Sequence, residues 1–241
     1  VASLAGGALI GALGASWVVG LMLAGQMAFL AASLTLPELP PPERPSEAIA
    51  SDERRSFALV AGVVGAGMVQ GSHAVLYAFA SVNWSARGLS LTTIGMLWAV
   101  GVVAEMALFH RGTALVRRFG AHLLIAAGGA AAVVRFGALA FEPPLGLLVL
   151  LQLLHGLTFG ATYLGMVELV ARSVSEHRAG SGQAFASWTV SLATALASLA
   201  AGPLWAHFGP LAYLSSAGIG MAGGLLALSS LRQPHKAGSG G

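Results

Sequence analysis

The residues of this chain able to do chemistry are few, and they sit where charge is unfavourable. Glu105, Arg135, His73 and His155 interrupt long apolar runs. An ionisable group at the centre of such a run costs about 2.5–3.5 kcal/mol on insertion scales, so it faces a cavity or a partner. Polar and aromatic side chains recur around these four at helical spacing. Gln70, His73, Tyr77 and Trp84 follow one another at intervals of 3, 4 and 7, which puts them on one helical face. Gln152, His155, Phe159 and Thr162 do the same at 3, 4 and 3, and Trp98 and Glu105 share a face seven residues apart. Each stripe reads either as the wall of a cavity or as an interhelical hydrogen-bonding seam. Glu105 is a candidate proton carrier, or else an ion-pair partner of Arg117 or Arg118. Arg135 is always charged and grips carboxylates with two parallel N–H groups. It suits an anionic solute or an internal acid, unless its stem snorkels to the headgroups. The chain has no cysteine, which removes disulfides, thiolate nucleophiles and cysteine metal sites. No cofactor or resident metal is expected.

The elements that position these groups follow from composition. Of 241 residues 56% are hydrophobic and only 9% charged, and the mean hydropathy is +0.79. A soluble domain carries about a quarter charged residues, so most of this surface must face lipid. Runs long enough to span fall at 15–36, 57–81, 91–109, 120–141, 144–170, 182–202 and 208–231, after an incomplete run at 1–12. If the Pro-rich stretch 37–56 is cytoplasmic, Arg44, Arg54, Arg55, Arg111, Arg117, Arg118, Arg172, Arg178, Arg232 and Lys236 all fall on that side. Only Arg87 falls outside, with Arg135 inside a span, which is a strong positive-inside pattern. The basic residues form no nucleic-acid-binding cluster. At 1.5 Å per residue Arg135 lies roughly 9 Å from the outer end of its helix, His73 roughly 12 Å, His155 roughly 17 Å and Glu105 roughly 21 Å. Arg135, His73 and His155 can therefore share one level, with Glu105 lower. Ser187, Ser191, Thr194 and Ser198 read as a small-residue packing side of the run 182–202.

Shifting the chain against itself by 195 residues pairs Ala2-Ser3-Leu4-Ala5 with Ala197-Ser198-Leu199-Ala200 and Gly7, Gly14 and Gly25 with Gly202, Gly209 and Gly220. In all there are 11 identities in the 36 pairs from Val1 to Leu36, against about one in ten by composition. The period encloses six helices, and a six-helix unit repeated in parallel is the build of major facilitator transporters. The expected organisation is the end of an N-terminal six-helix half at 1–36, a central cytoplasmic linker at 37–56, a C-terminal half at 57–231 and a cytoplasmic tail at 232–241. The start at Val1, inside an apolar stretch without a charged leader, reads as a fragment lacking most of the first half.

Five groups of residues carry a resemblance. They are Gln70-Gly71-Ser72-His73-Ala74 with Tyr77, Phe79 and Trp84; Gly95-x-Leu97-Trp98-x-x-Gly101-Val102-Val103-Ala104-Glu105; Arg117-Arg118; Arg135-x-Gly137; and Gln152-x-Leu154-His155-x-x-Thr158-Phe159. Over about residues 65–185 the chain resembles the 3-phenylpropionic acid transporter-like branch of the major facilitator superfamily, distantly related to the lactose permease group. The resemblance implies an all-α integral membrane protein of the cytoplasmic membrane, a proton-coupled symporter of a small aromatic acid or sugar-like solute. The lactose permease group carries Glu, Arg and His on three successive helices of this half, and Glu105, Arg135 and His155 match that order. That group also has a carboxylate three residues after the His, where this chain has Thr158. The expected solute-binding residues are Gln70, His73, Tyr77, Trp98, Arg135, Gln152, His155 and Phe159, with Arg135 on the solute carboxylate and Glu105 or His155 carrying the proton. The expected partners are the solute, protons, the bilayer and the absent N-terminal half. Rival readings are a sugar, oligosaccharide or nucleoside symporter, a non-transporting receptor, and a membrane redox protein with His73 and His155 as axial haem ligands.

Overall fold

The computed structural model describes residues 17–35, 53–175 and 178–230. The incomplete run 1–12, most of the linker 37–56 and the tail 232–241 lie outside them. The chain divides into two compact units, 1–44 and 45–241. Of the first, one apolar helix is described, α1 (Trp17–Leu34).

The second unit is helical throughout its described residues: α2 (Glu53–Gly71), α3 (Ala74–Ala86), α4 (Leu91–His110), α5 (Gly112–Leu139), α6 (Leu145–Leu153), a π-helical turn (Gly156–Ala161), α7 (Thr162–Ser173), α8 (Ala179–Phe208), a 3-10 turn (Gly209–Ala212) and α9 (Tyr213–Ser229). In lipid every backbone polar group must be bonded within the protein, so apolar runs of this length become helices. Among the described residues five stretches are long and apolar enough to cross a membrane: Phe57–Ala86, Leu91–His110, Gly112–Leu139, Leu145–Ser173 and Ala179–Ser229. The last, of 51 residues, is bent at Gly209, whose φ of 55° only glycine adopts easily. It supplies two legs, α8 and α9. Among its described residues the unit therefore has six helical legs and is all-α.

Two boundaries differ from the sequence expectation. The stretch 110–119, read as a loop, is helical from Gly112, and the break falls at Gly120, with φ 73°. Helix α8 runs through Pro203 to Phe208, although a break was expected from Gly202. Pro203 removes one intrahelical donor, but its fixed φ is helical and the chain turns only where Gly209 allows it.

Small residues let the legs approach closely. A Cβ at Gly129 of α5 would lie 2.7 Å from Gly220 O and 2.8 Å from Gly224 Cα of α9, and one at Gly65 of α2 would lie 2.5 Å from Gly223 O. Helix α9 is therefore clasped between α2 and α5. Helix α8 meets α2 through Ala186 and Thr189, which are buried, and through Ala193, whose backbone faces Gly71; Gly182, also buried, faces Val170 of α7. Ser187, Ser191 and Ser198 are exposed and Thr194 is half-buried, so the packing stripe is the neighbouring one and the serines were misassigned. At one end of the bundle the Arg87 guanidinium donates to Glu142 O (3.0 Å) and Pro143 O (2.6 Å), tying the α3–α4 turn to the α5–α6 turn.

A candidate solute site between two broken helices

The first leg is interrupted between α2 and α3. Gly71 backs onto the α8 main chain, where a Cβ would stand 2.9 Å from the Ala193 carbonyl carbon. Ser72 Oγ then donates back to Val69 O (2.6 Å). The Gln70 carbonyl receives both the His73 backbone N–H (3.2 Å) and His73 Nδ1 (3.0 Å). Because a carbonyl only accepts, Nδ1 carries the proton and Nε2 presents its lone pair. The break thus sets a buried imidazole in one tautomer.

The fourth leg is interrupted by the π-helical turn Gly156–Ala161. Such an inserted residue bulges the helix and re-aims side chains, frequently at functional sites. Here it lets the helix lean on α4, since a Cβ at Gly156 would be 2.9 Å from Ala104 O. The Phe159 carbonyl of this turn accepts from Gln70 Nε2 (3.2 Å), so the two discontinuities are bonded to each other.

Arg135 of α5 closes the cluster. It is 1% exposed, and its head points into the bundle. Nη2 donates to Gln152 Oε1 (2.6 Å), and Nη1 donates to both His155 Nδ1 (3.1 Å) and Thr158 Oγ1 (3.1 Å). The Gln152 amide is oriented by its other end, where Nε2 donates to Leu97 O (3.1 Å). Since guanidinium has no acceptor, His155 Nδ1 must be the lone pair and Nε2 the N–H. That Nε2 stands 3.5 Å from Glu105 Oε2. Thr158 Oγ1, accepting from Arg135, spends its own proton on His73 Nε2 at 3.0 Å, nearer than the His155 carbonyl at 3.5 Å. Donors therefore run outward from Arg135, through Thr158 to His73 and through His155 towards Glu105, across four legs.

Aromatic rings flank the chain. His73 stacks on Tyr77, His155 stacks on Phe159, and the two imidazoles meet edge to face at 5.4 Å. Trp98 lies 6.0 Å from Tyr77 and donates its indole N–H to Ser81 Oγ (3.0 Å). Tyr77 is 50% exposed, whereas Glu105, Trp98 and Phe159 are half-buried. The polar chain thus runs from a sealed core at Arg135 towards an open aromatic rim.

All the sequence-predicted residues come together here: Gln70, His73, Tyr77, Trp98, Glu105, Arg135, Gln152, His155 and Phe159. Snorkelling of Arg135 is overturned by its burial and inward hydrogen bonds. Glu105 pairs with His155 rather than with Arg117 or Arg118. Trp84 and Thr162, placed on the same stripes, are 1% and 0% exposed and belong to the packed core. Axial haem ligation does not fit, because all four imidazole nitrogens already face protein groups and the rings touch. Thr158 was missed as a site residue. Its signal was the spacing of three from His155, which returns it to the same face. Among the described residues two buried polar atoms, Arg135 Nε and Tyr213 Oη, have no protein partner.

This arrangement of a buried arginine between broken membrane helices bears on what the chain is similar to. The profile of the MFS_1 like family matches residues 53–214, which contain every residue of the cluster. The chain belongs to the MFS_1 like family. It is thus a multi-pass membrane protein of a major facilitator transporter family. Over 104 residues it is 35% identical to the probable 3-phenylpropionic acid transporter of Escherichia coli (strain K12). That match takes in 43% of this chain and 27% of that protein, so the chain spans about a quarter of that relative's length. No solved structure matches. The MFS_1 like match begins where α2 begins and ends just inside α9, so it covers both helix breaks.

Proposed function

We propose that this protein is a secondary active transporter that moves a small aromatic carboxylic acid together with a proton by alternating access. The observation that carries the reading is Arg135, a permanent cation buried in the span region and hydrogen-bonded to Gln152, His155 and Thr158, with the Glu105 carboxylate, a second imidazole and an aromatic rim beside them. A fixed cation held by neutral acceptors suits a carboxylate that arrives and leaves. Tyr77, Trp98 and Phe159 suit its ring, since aromatic side chains pair edge to face or offset. Gln70, His73, Gln152 and His155 orient the head, and Glu105 and His155 are the proton-bearing groups. The named relative is a probable transporter of 3-phenylpropionic acid, which agrees with this solute class.

On this reading 57–231 is one six-helix half, 37–56 a cytoplasmic linker, and a second half completes the path; the protein sits in the inner membrane with its C-terminus cytoplasmic. The test is uptake by the intact protein in proteoliposomes, with 3-phenylpropionate against a neutral sugar, under an imposed proton gradient. Gradient-dependent uptake of the acid, abolished by Arg135→Ala and by His155→Ala, is the expected result. Uptake of the sugar alone, or unchanged uptake in both variants, overturns the proposal. A receptor would bind the acid without flux.

A further inference from the structure

We propose that the groove between α5 and α9 on the outside of the bundle seats one acyl chain of an anionic phospholipid, whose phosphate is held at the basic end of the same seam by Arg117 and Arg118. This site faces lipid rather than the Arg135 cluster, and it does not depend on which solute is carried.

The groove comes from unequal side-chain sizes. Ala126 and Gly129 of α5 and Gly224 of α9 form its floor, where the backbones nearly touch: a Cβ at Gly129 would lie 2.8 Å from Gly224 Cα. Val133, Met221 and Leu225 stand at the rim, 37%, 50% and 59% exposed. Every residue lining the groove is apolar, and its volume is about 310 Å³. From Ala126 to Val133 the helix rises about 10 Å, so the cross-section is about 30 Å². A helix, about 10 Å across, does not enter a slot that narrow. A single hydrocarbon chain does, and the bilayer supplies one. A second copy of this chain is thereby excluded from the groove itself.

The headgroup end is set by the break in α5. Gly120, with φ 73° and ψ 167°, ends the straight run of the helix, and Arg117, Arg118 and Phe119 lie beyond it, all exposed. The Arg118 guanidinium sits over the Phe119 ring at 5.3 Å, a cation–π pair with the mixed character of an interfacial anchor. Gly120 is roughly 9 Å from Ala126 along the helix, and the groove takes up the next 10 Å or so. A lipid whose phosphate meets the arginines therefore delivers its chain to the groove near the centre of the roughly 30 Å hydrocarbon core. Between the two, Ser230 Oγ gives its proton to Ala227 O (2.7 Å) and so accepts from His122 Nδ1 at 3.0 Å. That bond pins the end of α9 to α5 and keeps the floor closed. Charge selects the headgroup. No acidic residue stands between Glu105 and Glu142, and among the described residues Arg111, Arg117 and Arg118 make no ion pair. Each arginine near a membrane surface favours an anionic lipid by roughly fivefold.

Two measurements on the intact protein test this. The delipidated protein is titrated with palmitoyl-oleoyl phosphatidylglycerol or the matching phosphatidylcholine, and retained lipid is read by native mass spectrometry. Phosphatidylglycerol should be held roughly fivefold or more tighter, and Arg117→Gln with Arg118→Gln should bring it to within about twofold of phosphatidylcholine. Ala130→Phe, which fills the groove from its exposed wall, should weaken retention of both lipids. Equal retention by the wild-type protein, an unchanged preference in the double variant, or undiminished retention in Ala130→Phe overturns the site. Displacement of the lipid by inorganic phosphate overturns the lipid assignment in favour of a free anion, and a second protein chain in place of lipid overturns it in favour of a dimer. The second measurement needs no variant: a phosphatidylglycerol with a photoreactive diazirine midway along one chain is irradiated with the wild-type protein. Labelling should concentrate in 126–133 and 221–228, and labelling spread evenly over the lipid-facing helices refutes a seated chain.

Discussion

Replacing Thr158 by valine removes one oxygen and keeps the branched shape, so its cost isolates what the hydroxyl does. That oxygen is fully buried and accepts from Arg135 Nη1 at 3.1 Å while donating to His73 Nε2 at 3.0 Å. Side-chain hydrogen bonds between membrane helices are worth about 0.6 kcal/mol on average and at most about 1.7 kcal/mol. Thr158 serves two of them, and its loss strands a guanidinium N–H and an imidazole lone pair without water. An unpaired buried group adds about 1–3 kcal/mol. The expected destabilisation is therefore about 2–4 kcal/mol. Thr158→Ser, which restores the oxygen and loses one methyl, should recover most of it. Unfolding of the purified protein in mixed micelles, titrated with denaturing detergent, reads both variants on one scale. A valine variant within about 0.5 kcal/mol of wild type, the level of a harmless substitution, would show that the chain through Thr158 is not a structural link, and the directional argument for His73 would fall with it.

Four further outcomes follow from named contacts. Arg135→Lys should lose transport, because one ammonium cannot serve Gln152, His155 and Thr158 from the positions of Nη1 and Nη2; uptake of 3-phenylpropionate at or above half the wild-type rate would refute this. Gly129→Val should prevent close packing of α5 on α9, since the new side chain starts 2.7 Å from Gly220 O, and overpacking costs about 1–3 kcal/mol or more; a monodisperse, unshifted melting profile would contradict it. Gly182→Val on the buried stripe of α8 should destabilise, its Cβ falling 2.7 Å from Val170 Cγ1, whereas Ser191→Val on the exposed face should be silent, and equal melting temperatures would reverse the assignment of the two faces. Arg87→Gln should cost under about 1 kcal/mol, as exposed polar contacts do, with faster amide exchange confined to 139–145 as its signature.

What could be read from the residues was depth and face. Arg135, His73 and His155 fall on one level by residue count from the helix ends, and the structure joins them. What could not be read was the path of the backbone. Neither discontinuity contains a proline: the first follows Gly71, the second has Gly156 and Gly160 among many glycines, and a Gly-rich membrane chain offers no contrast to single them out. Thr158 escaped for a related reason, since threonine is common at membrane helix contacts and carries no charge to draw attention. The serines of α8 misled because Ser187, Ser191 and Ser198 share one period with Ala186, Thr189 and Ala193, one or two residues away. Small size alone does not say which of two adjacent stripes meets a neighbour; the partner's Gly71 decides it, and that lies more than a hundred residues distant.

The two broken legs carry one pattern written twice. Gln70, His73 and Tyr77 recur 82 positions later as Gln152, His155 and Phe159. In both copies the histidine stacks on the aromatic four residues on, and in both the glutamine amide donates to a carbonyl of another element, Phe159 O in one case and Leu97 O in the other. The copies differ in what the histidine faces. His73 is closed in by its own Gln70 carbonyl and by Thr158, whereas His155 stands between a cation and an acid. Non-helical backbone is tolerated at membrane depth only where protein or a polar cavity satisfies it; here Gln70 of the first copy bonds the Phe159 carbonyl of the second break, while the Val69 and Gln70 carbonyls of the first break are bonded by its own Ser72 and His73. One copy holds a histidine between neutral partners, and the other holds a histidine with a charged group on either side. That asymmetry within a repeated pattern leaves His73 fixed between two neutral groups and His155 between a cation and an acid.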